Sequence, residues 1–408
     1  MNPTDMATRV ILIRHGRSTF NQQQRYQGSS DTSDLTEEGC KTSRQVGQWL
    51  QNWSIDAIYV SPLRRAQQTL HEIQSYLDPC IPAYVHSNLR EIDLPAWEGL
   101  PYQQVKAEYT EAYYTWKHRP DQFKMICEDR IGYAFGKQYN HSAVIAAPIK
   151  RECFPVLDLY QRAEQFWQDV LPHRRGQTIL SISHGGTNHA LISTALGLPP
   201  THHHSLQQSN CGVSILNFAA QTPNAQLEAL NLTNHLGETL PKLKEGKQGL
   251  RLLLVPSAAD STHVTQLAEF LKPIPIDFSL TNDSNHHTVE QLLTHHPSTV
   301  KLQVCREQFL QDWLQTLRWK QINVPDLTTG LVVAPSSSLQ MLLAEATGLP
   351  FDQCWRFQLQ PGSLSVLYYP NSDHRPILQA MNLQAMNLQA MNLAATQTSF
   401  TLGGTING

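Results

Sequence analysis

Arg14, His15 and Gly16 follow directly on the apolar run VILI at residues 10–13, and His184, Gly185 and Gly186 follow directly on TILSIS at residues 178–183. An imidazole nitrogen can attack phosphorus, a guanidinium offers a planar fork of donors, and glycine lets the backbone approach an anion closely. Where a strand gives way to a helix, outward-pointing N–H groups favour the same negative charge. A third turn of this kind, SPLRRAQQTL at residues 61–70, brings Arg64 and Arg65. A cation in the first turn of a helix opposes the helix dipole, so these arginines read as ligand contacts rather than helix stabilisers. LREIDLPAWEGL, residues 89–100, places Glu91 among Leu89, Ile92 and Leu94. A carboxyl group beside apolar side chains loses hydration and keeps its proton more readily, the condition for a general acid near neutral pH. Nucleophile, cations and acid together describe phosphoryl transfer. Each has a plainer reading alone: His15 as a hydrogen-bonded turn residue, Glu91 as half of a structural ion pair.

The elements that must position these groups alternate along the chain. Residues 10–13 read as a strand buried on both faces, and IDAIYVSP and TILSIS read as further strands. Thr36 suits the N-cap of a helix whose Val46, Trp49, Leu50 and Trp53 share one face, the crossover of a βαβ unit. The loop between, NQQQRYQGSSDTSD, can lay Gly28 and small hydroxyl residues such as Ser29 against a ligand, with Arg25 and Gln27 as donors; a solvated connection is the plainer alternative. Tyr102 to Trp116 reads as one helix and residues 157–171 as another. The irregular stretch between them carries Lys124, Arg130, Lys137, Lys150 and Arg151, and residues 119–152 have the length of a lid. Three adjacent histidines, His202 to His204, do not share a face and make no convergent metal site.

A chain of 408 residues is long enough for two domains with separate cores. A formal charge of −3 and the lack of basic runs leave no electrostatic footprint for nucleic acid, so anion recognition must rest on local clusters. Seven scattered cysteines, odd in number and without CxxC spacing, argue against a disulfide framework or a thiolate zinc site. This composition fits a reducing cytoplasm, or a plastid if a transit peptide precedes the sequence. No apolar run approaches the ~20 residues that span a bilayer. The expected partner is a small phosphorylated substrate, with no nucleic acid and no membrane; a homodimer is compatible with the sequence.

Taken together, RHGRSTFN, QGSSDTSDLTEEG, SPLRRAQQT, LREIDLPAWEGL and SHGG resemble the histidine phosphatase superfamily, also called phosphoglycerate-mutase-like. The resemblance covers roughly residues 9 to 236 and, within it, QGSSD, LREIDL and QSNCGVSIL are most similar to the plant 2-carboxy-D-arabinitol-1-phosphatases. It implies an α/β fold, a three-layer α/β/α domain with a mostly parallel sheet. It also implies that His15 is the nucleophile that becomes phosphohistidine, that Arg14, Arg65 and His184 clamp the non-bridging oxygens, and that Glu91 protonates the leaving oxygen and then activates water. Gly16, Asn21, Gln27, Gly28, Ser29 and Gly185 would line the substrate pocket. The implied reaction is hydrolysis of a small phosphorylated sugar or sugar acid. No metal and no other cofactor is expected, because arginines and imidazoles can surround the transferred group. Arg17 stands where many relatives carry Glu, and residues 125–150 look longer than the plant segment, two departures that bear on the substrate. A rival reading is a phosphoglycerate mutase, but LREIDLPAWEG and SHGGTN resemble the phosphatase branch rather than the NERHYG and HGNSLR motifs of mutases. A ligand- or partner-binding pseudoenzyme is a third reading, opposed by the occupation of all five catalytic positions.

The pattern repeats after the Lys/Gly-rich segment TLPKLKEGKQG. LRLLLVPS echoes VILIRHG, TTGLVVAPSSSLQMLLAEATGLP echoes QTILSISHGGTNHALISTALGLP, and QLQPGSLSVLYY echoes QQSNCGVSILNF. The expected organisation is a catalytic domain over residues 1–238, a linker at 239–249, a degenerate and catalytically silent copy over 250–393, and a loose tail at 394–408, so that the fold is duplicated. Pro256 falls at the position of His15 and Pro335 at that of His184, and proline has neither a nucleophilic nitrogen nor a donor. Near the end LQAMN occurs at residues 378, 383 and 388. The first copy keeps the register of LEALN at Leu227, since 378 − 227 = 151 and 335 − 184 = 151, and is expected in the sheet; the others are expected outside it.

Overall fold

A computed structural model describes residues 7–129, 149–219, 225–244, 246–257, 260–281, 286–303, 326–371 and 374–384. Its strands are β1 (Thr8–Arg14), β2 (Ala57–Val60), β3 (Ala83–Val85), β4 (Met125–Asp129), β5 (Ile149–Cys153), β6 (Thr178–Ser183), β7 (Val213–Phe218), β8 (Ala225–Leu232), β9 (Gly249–Pro256), β10 (Phe278–Thr281), β11 (Val300–Gln303), β12 (Leu327–Ala334), β13 (Leu364–Tyr369) and β14 (Ile377–Leu383). Twelve of them form one sheet in the order β11-β10-β12-β9-β13-β14-β8-β7-β1-β6-β2-β3, while β4 and β5 pair separately. Pairing is parallel at both ends, over β3-β2-β6-β1 and β11-β10-β12-β9. It is antiparallel through the middle, from β1 across β7, β8, β14 and β13 to β9.

The helices α1 (Thr19–Gln22), α2 (Glu37–Leu50), α3 (Arg64–Gln74), α4 (Tyr102–Glu108), α5 (Thr110–His118), α6 (Pro155–Val170), α7 (Gly185–Leu196), α8 (Ser261–Leu271), α9 (His286–Leu292) and α10 (Ser336–Thr347) connect the strands. Successive side chains of a strand face opposite ways, so Val10 and Leu12 enter one core while Ile11 and Ile13 enter the other. The first core is covered by α6, α7 and α10 and the second by α2, α3, α8 and α9, which gives the α/β/α layers. Thr36 caps α2 by accepting from Gly39 N at 3.0 Å. No helix among the described residues is long and apolar enough to cross a membrane.

The two ends of the sheet repeat one another. Helices α7 and α10 both have twelve residues, are preceded by His184 and Pro335 at their N-caps, and end at left-handed Gly197 (φ 75°) and Gly348 (φ 77°). Each of these pairs keeps the 151-residue offset read from the sequence. The halves join where β8 meets β14, with Leu230 opposite Met381. There Asn231 Nδ2 donates to Gln379 O at 2.7 Å, and Asn382 Nδ2 donates to Glu228 O at 2.6 Å. Likewise Gln207 N donates to Leu378 O at 2.9 Å, and Gln358 N to Leu227 O at 3.0 Å. Shifting every partner by the same offset turns one contact into the other, which is the form of an isologous two-fold contact written inside a single chain.

Several expectations are corrected. Tyr102 to Trp116 is not one helix: Tyr109 (φ −116°, ψ 41°) breaks it into α4 and α5. The break turns Trp116 into the core against Trp97 and Phe123, their ring centroids 6.1 and 5.2 Å away. Cys127 and Cys153 are joined by a disulfide between β4 and β5, which an odd cysteine count did not suggest. The first LQAMN copy lies in β14; the other two, beyond Leu383 and Gln384, fall outside the described residues, as do residues 130–148 of the expected lid and the tail from 394.

Candidate active site

The site is built by strand register. β1 and β6 run parallel with Arg14 opposite Ser183, so the next residues, His15 and His184, emerge side by side with ring centroids 5.1 Å apart. β2 lies on the far side of β6, and its continuation brings Ser61 Oγ to 2.7 Å from His184 Nε2. His15 Nδ1 lies 2.7 Å from Gly16 O, and a carbonyl can only accept, so the proton sits on Nδ1 and the lone pair on Nε2. A Cβ at Gly16 would stand 2.6 Å from Gly39 O, so the close turn after the imidazole requires glycine. Asn210 holds the same turn from outside, its Nδ2 donating to His15 O at 3.0 Å and to Asn21 Oδ1 at 3.0 Å.

Burial above all, then Arg65 and Arg14, pushes the His15 imidazole well below its usual range, so the ring is neutral. His184 is lowered in the same way, by burial first and then by Arg65 and His15. The arginines are tied down rather than spread over solvent. Arg65 is fully buried, with Nη1 on Ser30 O at 2.8 Å and Nη2 on Gly28 O at 2.9 Å; burial brings its guanidinium down to about 10, still protonated at neutral pH. Arg14 Nη1 donates to Gln208 O at 2.8 Å. Arg14 Nε, Arg65 Nε and His184 Nδ1 are buried with no hydrogen-bond partner. Buried donors left unspent are costly unless something occupies the space they face, and an oxyanion is the group that fits.

Glu91 departs from its expected surroundings. Leu89, Ile92 and Leu94 are buried, Ile92 and Leu94 lining the same cleft as Glu91, and the carboxylate is bound at the first turn of α7. It accepts from Gly186 N at 3.1 Å, Thr187 N at 3.0 Å, Thr187 Oγ1 at 3.3 Å and its own neighbour Ile92 N at 2.9 Å. No arginine forms an ion pair with it among the described residues. Its position is set by donors at a helix N-terminus, beside the apolar side chains of Ile92 and Leu94.

Arg14, His15, Asn21, Gln27, Gly28, Arg65, Glu91 and Gly185 line one cleft of about 550 Å³. Gln27 Oε1 takes Ser18 Oγ and Ser33 Oγ, both at 2.8 Å, which leaves its amide N–H groups for the cleft. Gly16 and His184 sit behind the lining, and Ser29 does not reach it: its hydroxyl turns to Glu98 Oε1. Arg25 bonds Gly99 O, and Arg64 pairs on the surface with Asp34, so neither is a cleft donor. Sequence reading passed over Tyr102, Lys117, His189, His203, His204, Gln208 and Lys244, all of which line the cleft. His203 and His204 belong to the run of three histidines that forms no metal site by its spacing. His202, the third, instead contacts Arg375 of the second half. Among the described residues no three His, Cys, Asp or Glu side chains converge as metal ligands.

The sequence matches the family described as "Histidine phosphatase superfamily (branch 1)" over residues 10–135 and 134–232, more than half of the chain. It is 33% identical over 262 residues to a protein named 2-carboxy-D-arabinitol-1-phosphatase from Triticum aestivum, covering 63% of this chain and 47% of that one. It is 34% identical over 229 residues to "Probable 2-carboxy-D-arabinitol-1-phosphatase" from Arabidopsis thaliana, covering 55% of this chain and 42% of that one. Phosphoserine phosphatase 1 of Hydrogenobacter thermophilus is 27% identical over 230 residues, 56% of this chain and 95% of that protein. The match thus spans about half the length of the two plant proteins.

Proposed function

This chain belongs to the histidine phosphatase superfamily, and on that premise we propose that it hydrolyses the phosphoric monoester of a small phosphorylated sugar or sugar acid through a phosphohistidine. The observation that carries the reading is the neutral His15, its Nδ1–H spent on Gly16 O and its Nε2 lone pair left in a cleft whose walls hold unspent buried donors. In the first half-reaction Nε2 attacks phosphorus, the P–O bond to the leaving group breaks, and Glu91 delivers a proton to the departing oxygen. In the second, water attacks phosphorus, the P–N bond breaks, and Glu91 takes the proton of the water. Arg14 Nε, Arg65 Nε and His184 Nδ1 surround the equatorial oxygens, so the cations of the chain itself balance the developing charge and the route calls for no metal.

For the substrate, 2-carboxy-D-arabinitol 1-phosphate is the first candidate, supported by the names of the plant relatives and by the QGSSD, LREIDL and QSNCGVSIL stretches. The test is a phosphate-release panel of sugar phosphates, sugar-acid phosphates and phosphoglycerates, with rapid acid quench to trap labelled protein. Acid-labile phosphate should appear on the wild type and be lost, with turnover, in His15→Ala. Full activity in that variant, or phosphate trapped on another residue, overturns the assignment.

A further inference from the structure

The cleft carries more positive charge than one phosphate needs. Among its described lining residues the cations are Arg14, Arg65, Lys117 and Lys244, and the only carboxylate is Glu91. His189, His203 and His204 line the same cleft, and His189 Nε2 and His203 Nδ1 are buried without a hydrogen-bond partner. Burial keeps all three imidazoles in the neutral form, so they offer hydrogen bonds while the two lysines offer charge.

Lys244 has an unusual origin. It belongs to the segment between the two halves of the chain and reaches back to the first half at the exposed rim of the cleft, where its Nζ donates to Gln208 O. That carbonyl also takes Arg14 Nη1 at 2.8 Å, which places the ammonium one acceptor away from the phosphoryl site. The segment is pinned on both sides. Gln207 Nε2 donates to Lys242 O at 3.0 Å, and Gln207 Oε1 accepts from Gln379 Nε2 of β14 at 3.0 Å. Tyr368 of β13 donates its hydroxyl to Gln248 O at 2.7 Å. Gln379 and Tyr368 are buried residues of the silent half. The half that lacks the chemistry therefore holds a residue of the cleft.

Resting on the phosphatase reading, we infer that Lys244, positioned by the silent half, recognises a second anionic group on the substrate, a carboxylate or a second phosphate, separate from the phosphate at His15. The test compares the full-length wild type with Lys244→Met, Lys244→Arg and Tyr368→Phe on p-nitrophenyl phosphate, glucose 6-phosphate, 3-phosphoglycerate and fructose 1,6-bisphosphate. Lys244→Met should lower the ratio of kcat/KM for two-anion over one-anion substrates about tenfold, mainly through KM, the size expected for a charge-assisted contact at a partly exposed rim. Lys244→Arg should restore most of the ratio, and Tyr368→Phe should shift it in the same direction by less. A response confined to 3-phosphoglycerate identifies the group as carboxylate, and one confined to the bisphosphate identifies it as phosphate. Turnover in which Lys244→Met lowers every substrate equally, or leaves the ratio unmoved, overturns the inference and spares the phosphatase reading. A shift with Lys244→Met but none with Tyr368→Phe overturns the part assigned to the silent half. A wild type that releases phosphate neither from these four nor from 2-carboxy-D-arabinitol 1-phosphate and the rest of the panel above overturns the phosphatase reading itself.

Discussion

Gly186→Ala should cripple the reaction without replacing any of the side chains assigned to the chemistry. The added Cβ would stand 2.6 Å from Glu91 Oε1, whereas ordinary contact begins at about 3.4 Å, so the carboxylate must retreat by about 0.8 Å. Glu91 Oε1 is held by Thr187 N at 3.0 Å, and a retreat of that size away from α7 takes this bond beyond hydrogen-bond range. A catalytic group misplaced by about 1 Å costs roughly 10²-fold, or about 2.7 kcal/mol in the barrier. The loss should be largest for a sugar phosphate, whose alkoxide needs the proton, and smaller for p-nitrophenyl phosphate, whose leaving group does not. The fold has less to lose. Alanine in a helix is about 1 kcal/mol better than glycine, which offsets part of the roughly 1.5–3 kcal/mol of a weakened charged hydrogen bond. Steady-state kcat on both substrates and a circular-dichroism melt provide the assay. A kcat on the sugar phosphate within about twofold of wild type, too small a change for a displaced acid, would refute the reasoning, and so would an equal loss on both substrates, which would mean that Glu91 does not serve the leaving group.

Stability should fall on acidification. His203 and His235 are held by burial at about 4, and His15, His184, His189 and His204 are lowered as well, so the folded chain keeps them neutral while the unfolded chain binds protons below about 6.5. Their contribution is therefore complete above about pH 6.5 and lost as pH falls toward 4, at up to about 1.4 kcal/mol per pH unit for each. A melting temperature as high at pH 5 as at pH 7 would contradict this. Deleting Leu383 to Asn392, two of the three repeat copies, should leave phosphatase rate and melting temperature nearly unchanged, because Leu393 then follows Asn382 where Leu383 stood and the exchange of Gln384 for Ala394 removes only a side-chain bond to Gln360; a clear loss of either in a paired kinetic and thermal comparison would show that the repeat is part of the fold.

The residues that were legible in the sequence are those whose role follows from where a strand stops. His15 and His184 could be read because an apolar run ends immediately before each, and parallel register then does the rest. What was not legible depends on partners far away in the chain. Asn210 matters because it bonds His15 O across 195 residues, and Ser61 because it meets His184 across 123. The three histidines at 202–204 could not be sorted by periodicity, since they lie on a short turn in which two face the cleft and one faces the second half. For Glu91 the apolar neighbours were correctly read as core, but a side chain between core residues can point elsewhere, and here it points at α7. Lys244 looked like a solvated linker charge because contacts far away in the chain, from Gln207 of the first half and Tyr368 of β13, decide where that linker runs.

The pattern of what the second half keeps and loses follows from the two-fold contact. An exposed strand edge is an open template for another chain, and β8 would be such an edge if the chain stopped after the first half. β14 covers it, and the residues that do so, Asn382, Gln379 and Leu378, repeat the geometry of Asn231, Glu228 and Leu227 on the opposite side. The departures from the first half sit elsewhere, at the strand ends, and one expectation is corrected there: Pro256 pairs with Ala334 as Arg14 pairs with Ser183, so the register sets Pro256 against Arg14 and Ser257 against His15, while Pro335 precedes α10 where His184 precedes α7. Both are positions where proline is tolerated, at the end of a strand and at the entry of a helix, so the chemistry can go while the sheet and its caps remain. Since the β8 edge is already filled by a strand of the same chain, a homodimer would have to use another surface. The covered edge also bears on the role inferred for the second half: pairing β14 to β8 sets Gln379 against Gln207, which bonds Lys242 O, and β13 carries the Tyr368 that bonds Gln248 O, so the contact that hides an edge also adjoins the segment that carries Lys244.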